Sequence, residues 1–330
     1  MFSTYHSKSA SVTVLIVNWN SGEMLTKCLK CLMVQTFKAV RILVLDNASS
    51  DDSADVVKCF ENVMLYRANT NLGFAAGNNR ILKECDTEFI ALLNPDAFPE
   101  PDWLENLIMA AMDYPGFAAF GSRQLVQSNP KYLDGIGDNY HLSGLVWRGG
   151  HGEKQHPADL KQRNIFSPCA AAALYRREAL LEIGGFDEDF FCYLEDIDLG
   201  FRLRLVGHQA MYVPDAVVYH VGSATTGGQH SDFAVYHGHR NLVWTFIKNM
   251  PGILFWLLLP LHIFMNISAM ILISMRGQGS IILKAKRDAI KGLPQACEKR
   301  RKIQAKRVAT ISDIWRVLDK RLLPFFIKPK

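Results

Sequence analysis

The chain has 330 residues, 49% of them hydrophobic, which is long for one domain and comfortable for one domain plus an appendage. Its seven cysteines form no even, paired framework, which excludes a disulfide-stapled secreted domain and fits a reducing cytosol, and residues 1–10 lack the apolar core of a secretory signal. The net charge of +5 hides an asymmetry: residues 276–330 hold 16 Lys+Arg against 4 Asp+Glu, leaving 21 against 28 in residues 1–275, so an acidic body carries a basic tail suited to an anionic surface.

Residues 11–20, SVTVLIVNWN, are an apolar, β-branched run that predicts a buried strand. Residues 23–34 predict a helix; Cys28 and Cys31 form a CxxC inside it, with no second pair to complete a metal site, and are expected to be buried thiols. A second buried strand over 40–45 ends in the polar run Asp46-Asn47-Ala48-Ser49-Ser50-Asp51-Asp52-Ser53, which also caps the next helix. A short strand over 63–66, a glycine-bearing loop entering a helix at 71–79 (NLGFAAGNN), and a strand over 88–93 ending in Asn94-Pro95-Asp96 follow. Alternating strands and helices predict an α/β domain with a largely parallel sheet. Ligands bind beyond the carboxyl ends of such strands, and three of those ends, at 18–20, 46–50 and 94–96, are polar together. The GxGxxG of a dinucleotide-binding dehydrogenase is missing after the first strand, which excludes that class.

Residues 116–166 have a weak pattern rich in Gly, Asn and His, and read as an insertion with little regular structure on the acceptor side. Residues 166–175, FSPCAAAALY, predict a strand packed closely on the sheet, and 176–183 a helix. The stretch that organises the chain is 184–208, GGFDEDFFCYLEDIDLGFRLRLVGH, in which six carboxylates (Asp187, Glu188, Asp189, Glu195, Asp196 and Asp198) lie among Phe186, Phe190, Phe191 and Tyr193. Leu194, Ile197, Phe201 and Leu205 recur at helical spacing, placing Glu195 and Asp196 in a first turn at the positive end of the dipole. Such acids serve as caps or, beside a pocket, as a general base. Residues 210–220 predict a further strand ending in His220, close to a flexible segment at 223–228.

Residues 253–275 hold no charged side chain in 23 positions, enough to cross a bilayer. One crossing would separate the body from the basic tail, against the positive-inside rule, so a re-entrant or interfacial hairpin is expected, with Pro260 inside it and His262 and Asn266 on one face. Ile311, Ile314, Trp315, Leu318 and Leu322 share one helical face, with Arg316, Lys320 and Arg321 on others, which predicts a basic amphipathic helix on anionic lipid. The KRRK cluster at 299–302 could serve a nucleic-acid arm, but the adjacent apolar segment favours lipid and no nucleic-acid partner is expected.

Residues 12–246 resemble a family 2 glycosyltransferase of the GT-A fold, through VLIVNWNS (14–21), LDNASSD (45–51), NLGFAAGNN (71–79), LLNPDA (92–97), GGFDEDFFCYLEDIDLGFR (184–202) and VVYH (217–220). Within the family the chain is most similar to bacterial rhamnosyltransferases that build lipid-linked O-antigen or cell-wall linker sugars. The resemblance implies a catalytic domain over 1–250 and a membrane-associating apolar segment with a basic tail over 251–330. It implies a nucleotide site at Asn18, Asp46, Asn47, Leu72, Gly73, Gly77, Asn78 and Asn94; a Mg²⁺ or Mn²⁺ site at Asp96, the second acid of the DxD motif, and His220; and a catalytic base at Asp196 with Glu195 beside it. Asn94 stands where the motif has its first acid, leaving one motif carboxylate, and the QxxRW of processive synthases is absent, which favours adding one sugar. The implied donor is a dTDP- or UDP-sugar, with L-rhamnose favoured over a UDP-hexose or galactofuranose. The implied acceptor is a polyprenol-linked saccharide at the cytoplasmic face of the inner membrane. Chemistry agrees: a departing diphosphate needs an oxygen-liganded Lewis acid, and the attacking hydroxyl needs a base. A non-catalytic nucleotide-sugar or glycan binder that keeps the fold is the alternative reading.

Overall fold

The computed structural model describes residues 10–222, 227–228 and 230–321. In chain order the elements are β1 (Val12–Asn18), α1 (Glu23–Met33), β2 (Arg41–Asp46), β3 (Val63–Arg67), α2 (Gly73–Leu82), β4 (Phe89–Leu93), β5 (Ala97–Pro99) and α3 (Trp103–Asp113). Next come β6 (Phe117–Val126), β7 (Leu133–Gly135), β8 (Asp138–Tyr140), β9 (Val146–Arg148), β10 (Arg163–Ile165), β11 (Ala172–Arg176), α4 (Arg177–Glu182), α5 (Glu195–Leu205) and β12 (Gln209–His220). The chain ends in α6 (Asp232–Asn249), α7 (Gly252–Ile273), α8 (Gly279–Lys291), α9 (Leu293–Ala305) and α10 (Ile311–Val317).

The main sheet runs β10-β12-β6-β11-β4-β1-β2-β3, with β5 paired to β12 and β7 to β6. β4, β1, β2 and β3 are parallel, whereas β11 lies antiparallel between β4 and β6. Helices cover both faces, so alternate strand residues feed two cores. Val12, Val14 and Ile16 pack with Leu25 and Leu29 of α1 and Trp103 and Leu107 of α3. Leu15, Leu43 and Leu45 pack with α2, α4 and α5 through Ala75, Leu180 and Leu199. The α1 thiols are free as expected, Cys28 buried and Cys31 half-buried.

The reading of 116–166 as irregular is corrected. β6 is a ten-residue strand inside the main sheet, and β7 to β10 follow it. Its run of Ala, Gly and Ser obscured the strand pattern, yet small residues suit this position: a Cβ on Gly121 would meet Pro168 at 2.9 Å.

The C-terminal segment is not a separate arm. A third core joins Phe201 and Leu205 of α5, Phe246 of α6 and Met250 just after it, Leu254 and Leu258 of α7, and Ile314 and Leu318. The expected lipid-facing stripe of 311–322 is therefore corrected at Ile314 and Leu318, which are buried against the body; Leu322 lies outside the described residues. After α7 the chain reverses at 274–278, where Gly277 has φ 88°, and α8 returns along α7 and α6. Lys286 of α8 donates to the Asn266 side chain at 2.5 Å and to the His239 carbonyl at 2.7 Å, which fixes this helical hairpin onto α6.

Candidate active site

The ends of β1 and β2 are laced together. Asn18 Nδ2 donates to Ser53 Oγ at 2.9 Å and to Ser49 Oγ at 3.3 Å, and Ser21 Oγ donates to Asn18 Oδ1. Asp46 is buried, accepts from the Ser49 N–H at 3.3 Å, and pairs with Arg67 Nη1 at 3.1 Å. Arg67, at the end of β3, was not singled out in the sequence. Asn47 reaches the glycine loop: its Oδ1 accepts from the Leu72 N–H at 2.8 Å and its Nδ2 donates to the Gly73 carbonyl at 3.2 Å. Asn18, Asp46, Asn47, Leu72 and Gly73 thus form one connected group.

The remaining glycine-loop residues act inside α2. Gly77 lies against the sheet, where a Cβ would meet Val17 at 3.0 Å and Leu45 at 3.2 Å. Asn78 is buried and its amide donates to the Phe74 carbonyl at 2.9 Å. The first N–H groups of α2, those of Phe74 and Ala75, point at the Phe191 carbonyl at 2.7 and 3.2 Å. Gly73 permits that approach, since a Cβ there would lie 2.5 Å from the same oxygen. The helix start is therefore joined to the acidic segment. Asn79 completes the joint, bonding the Phe186 backbone through both amide atoms at 2.9 Å and Glu188 Oε1 at 2.9 Å.

Four of the six carboxylates in that segment are committed. Asp187 pairs with Lys248 and Lys299, Asp189 with Lys299, and Asp198 with Arg202 at 2.7 Å and Lys248 at 2.8 Å, while Glu188 is held by Asn79. Among the described residues, Glu195 and Asp196 alone of the six have no cation within ion-pair distance and no side-chain donor. Asp196 accepts backbone N–H bonds from Ala170 at 3.2 Å and Ile197 at 2.8 Å, and Glu195 Oε2 is buried without a hydrogen-bond partner. Burial pushes the Asp196 carboxyl up, against those N–H groups and nearby Arg148; Glu195 is raised by burial and then by Asp196. The backbone entering α5 is strained, with φ of 63° at Phe191, 67° at Tyr193 and 65° at Leu194, and non-glycine residues held in this way concentrate at functional sites. Asn241 of α6 holds the strain in place: its Nδ2 donates to the carbonyls of Phe190, Cys192 and Tyr193 at 2.9, 3.0 and 2.8 Å.

On the other side of the sheet end, β5 and β12 pair in register, His220 opposite Ala97, and bring His220 to Asp96. His220 Nε2 lies 3.3 Å from Asp96 Oδ1, within ion-pair distance but off the line of a hydrogen bond, so this buried nitrogen has no hydrogen-bond partner. Its Nδ1 is engaged by Asp134 Oδ2 at 2.8 Å, and Asp134 also binds Arg148 Nη1 at 2.6 Å. Burial opposes the charge on His220, yet Asp134 and Asp96 outweigh it and push the imidazole up to about 9; the Asp96 carboxyl is lowered by the same contact. An imidazole oriented by a carboxylate, with its other nitrogen facing a second carboxylate, is a donor set that suits a divalent cation. Asn94 stands half-buried beside it, its N–H donating to the Ala171 carbonyl at 2.8 Å.

Sequence reasoning missed the residues that join the two halves. Asp138 and Cys169 lie with Asp196 in a group whose ligand-type atoms are all within 4.8 Å of one another. Asp138 is raised by burial and then by the charge of Asp196, with Arg148 opposing. Asp134, Asp138 and Arg148 come from the segment read as irregular; their signal, two Asp around the glycine-rich DGIGD, was present but had no strand pattern to place it.

Residues 13–184, just over half of the chain, match the family described as Glycosyl transferase family 2. The chain belongs to that family. It is a glycosyltransferase with a GT-A fold. The N-acetylglucosaminyl-diphospho-decaprenol L-rhamnosyltransferase of Mycobacterium tuberculosis is similar to this glycosyltransferase, 28% identical over 244 residues that cover 65% of this chain and 77% of that protein. The O-antigen chain rhamnosyltransferase RfbN of Salmonella typhimurium is 26% identical over 235 residues, covering 68% and 72%. Among solved structures, the mannosyltransferase PcManGT from Pyrobaculum calidifontis, in complex with GDP-Man and Mn²⁺, superposes with a TM-score of 0.55 at 16% identity, over 92% of this chain and 87% of that one. GalNAc-T7, with UDP, GalNAc and Mn²⁺, superposes with a TM-score of 0.59 at 15% identity; the match covers 72% of this chain and about half, 48%, of that one. The family match ends at residue 184, so Glu195, Asp196 and His220 rest on the geometry above.

Proposed function

We propose that this glycosyltransferase adds one sugar, L-rhamnose from dTDP-L-rhamnose, with inversion to a polyprenol-diphosphate-linked saccharide in cell-surface polysaccharide synthesis. The observation that carries the reading is Asp196: it lies at a strained helix start, has no cationic partner among the described residues, and belongs to the acid cluster joined through Arg148 to the Asp134, His220 and Asp96 group. The mycobacterial and Salmonella relatives, both named rhamnosyltransferases, support the choice of sugar, and the name of the first supports a polyprenol-linked acceptor.

In this reading Asn18, Asp46 and Asn47 face the nucleoside, with Leu72 and Gly73 closing the pocket, Gly77 and Asn78 holding α2 beneath it, and Asn94 beside the diphosphate. Asp96 and His220 would hold a Mg²⁺ or Mn²⁺ ion, which would displace the Nε2 proton while Asp134 keeps Nδ1 engaged. A divalent ion so bound supplies Lewis-acid neutralisation of the diphosphate. Asp196 accepts the proton of the acceptor hydroxyl as its oxygen bonds to the anomeric carbon and the bond to the diphosphate breaks. The Ala170 and Ile197 N–H groups orient the carboxylate for that transfer. Glu195 stays buried behind it, its own carboxyl pushed up by burial and then by the charge of Asp196. Residues 1–250 carry the chemistry, and 251–330 hold the enzyme at the cytoplasmic face of the membrane, near its lipid-linked acceptor.

The test is transfer from a panel of dTDP-, UDP- and GDP-sugars to a polyprenol-linked acceptor. Rhamnosyl transfer from the dTDP donor is expected. Transfer from a UDP-sugar alone would replace the donor assignment, and binding of nucleotide without transfer from any donor would favour a non-catalytic sugar binder.

A further inference from the structure

At the head of α7 lies a hollow of about 310 Å³ lined by Gly252, Arg300, Arg301, Gln304 and Arg307. Three arginines meet there and no carboxylate lines it. Arg300 is held in place, its Nη1 donating to the Ile247 and Met250 carbonyls at 2.8 and 2.6 Å and its guanidinium lying 4.4 Å from the centre of the Phe255 ring. Arg307 is steadied by the Ala309 carbonyl at 3.0 Å, and Arg301 is exposed; none of the three has an ion pair among the described residues. The neighbouring acid, Glu298, is taken by Lys302 at 2.7 Å. Three guanidinium groups that share one concavity without a counter-ion form a site complementary to an anion.

The surface beside the hollow narrows the kind of anion. The first two turns of α7 expose Ile253, Trp256 and Leu257 at 61%, 70% and 65%. Farther along, Ile263, Phe264, Ile267 and Ile271 are also exposed. The opposite face, Leu254, Leu258, His262, Met265 and Ala269, is buried against the body. Because α8 runs back along α7, Phe246 of α6 stacks on His262, Val235 of α6 clusters with Ile273, and α8 carries Lys284, Lys286, Arg287 and Lys291, the helix could cross a bilayer only by drawing charged helices in with it. The arrangement suits a helix lying in the interface, apolar side down, with arginines at the headgroup level.

We propose that the hollow formed by Arg300, Arg301 and Arg307 binds the phosphate of an anionic membrane phospholipid, whose hydrocarbon chain lies over Ile253, Trp256 and Leu257. This deepens the membrane assignment above and rests on it. The site sets the orientation of the enzyme, because it anchors one end of α7 by charge while the exposed face follows by apolar burial.

The test is flotation of the full-length protein with phosphatidylglycerol-containing vesicles and with neutral phosphatidylcholine vesicles. Each arginine near an anionic surface contributes roughly five-fold in partitioning, so Arg301→Gln with Arg307→Gln should weaken binding to anionic vesicles about 30-fold. Binding to neutral vesicles should be unchanged. The charge-preserving pair Arg301→Lys with Arg307→Lys should recover most of the loss, which separates lost charge from a damaged fold. Neutralising two remote exposed lysines, Lys58→Gln with Lys83→Gln, should change binding far less. Equal losses for the two pairs would reduce the effect to net charge and overturn the site. Wild-type binding by the Arg301/Arg307 glutamine variant would overturn it while leaving the membrane assignment standing. A wild-type protein that floats with neither vesicle would overturn both. Full displacement by inorganic phosphate equimolar with lipid phosphate would make this a free-anion site and reject the lipid.

Discussion

Replacing Asn241 by Ala tests whether strain in the acidic segment is part of the catalytic geometry. The amide is fully buried and its Nδ2 serves three carbonyls, those of Phe190, Cys192 and Tyr193. Three non-glycine residues held at positive φ, Phe191, Tyr193 and Leu194, cost roughly 1–3 kcal/mol each relative to ordinary backbone. The hydrogen bonds that oppose this release are worth about 1 kcal/mol apiece. Removing them leaves the strain uncompensated, so the segment relaxes and carries the first turn of α5 with it. A displacement of about 1 Å at Asp196 would lower kcat by ~10²-fold. Nucleotide affinity should fall far less than kcat, because Asn241 reaches the Asn18, Asp46 and Asn47 group only through the Phe191 carbonyl at the start of α2. Loss of about 2 kcal/mol in a 330-residue chain lowers Tm by only about 3 °C, so the enzyme remains folded in the assay. Steady-state kinetics with a lipid-linked acceptor, paired with thermal denaturation, measures both quantities. If Tm falls and kcat does not, Asn241 is merely structural and the strained turn has no part in placing the base.

Asp196→Asn should lower turnover by ~10²–10⁴-fold while calorimetry finds nucleotide binding intact; retention of more than half the activity would move the base to Glu195 or Asp138. Asp134→Asn should weaken Mn²⁺ affinity by about 10–100-fold in a titration followed by electron paramagnetic resonance, and an unchanged affinity would remove Asp134 from the support of His220. Asp138→Asn removes a carboxyl whose titration is raised by burial and by the charge of Asp196, so the variant should lose that group's pH dependence of stability. The folded-state carboxyl of Asp138 is raised, so its favourable contribution to stability is present below about pH 3.9 and lost as pH rises through the raised value; the variant should therefore gain Tm relative to wild type on going from pH 4 to pH 8. A constant Tm difference across that range would contradict the assignment. Deleting residues 251–330 should yield aggregated protein and not a soluble catalytic half, because it uncovers Phe201, Leu205, Phe246 and Met250; a monodisperse, folded product would show that this third core is dispensable.

Much of the nucleotide half was legible because it rests on local rules. Residues 12–18 and 41–46 are buried on both faces and therefore read as unbroken apolar runs, and Asp46 and Asn47 stand at a strand end where ligands gather. Asp96 was legible as part of a polar strand end, but its pairing with His220 came only through the family resemblance, since the two are 124 residues apart and meet through a strand pair that neither pattern announces. Asp134, Asp138 and Arg148 were not legible, because short strands with Gly and Asn between them have too few residues to establish a period. The acidic segment was found but its division of labour was not: Lys248 and Lys299, the partners that set Asp187, Asp189 and Asp198 apart from Asp196, lie 50 to 112 residues farther on. The apolar character of residues 253–275 was plain, whereas the return of α8 depended on Gly277 and on contacts with α6.

The register of β5 against β12 has a consequence for how this enzyme can change. His220 faces Ala97 across one rung of a ladder, so the spacing between His220 and Asp96 is set by backbone pairing. Everything between them in sequence, including the segment that forms β7 to β10, is a detour that leaves from one strand and returns to another. Lengthening or exchanging the connection between β9 and β10 would reshape that detour without moving the rung. A lineage, or a designer, could therefore rewrite the detour while the pair proposed to hold the ion stays where the ladder puts it.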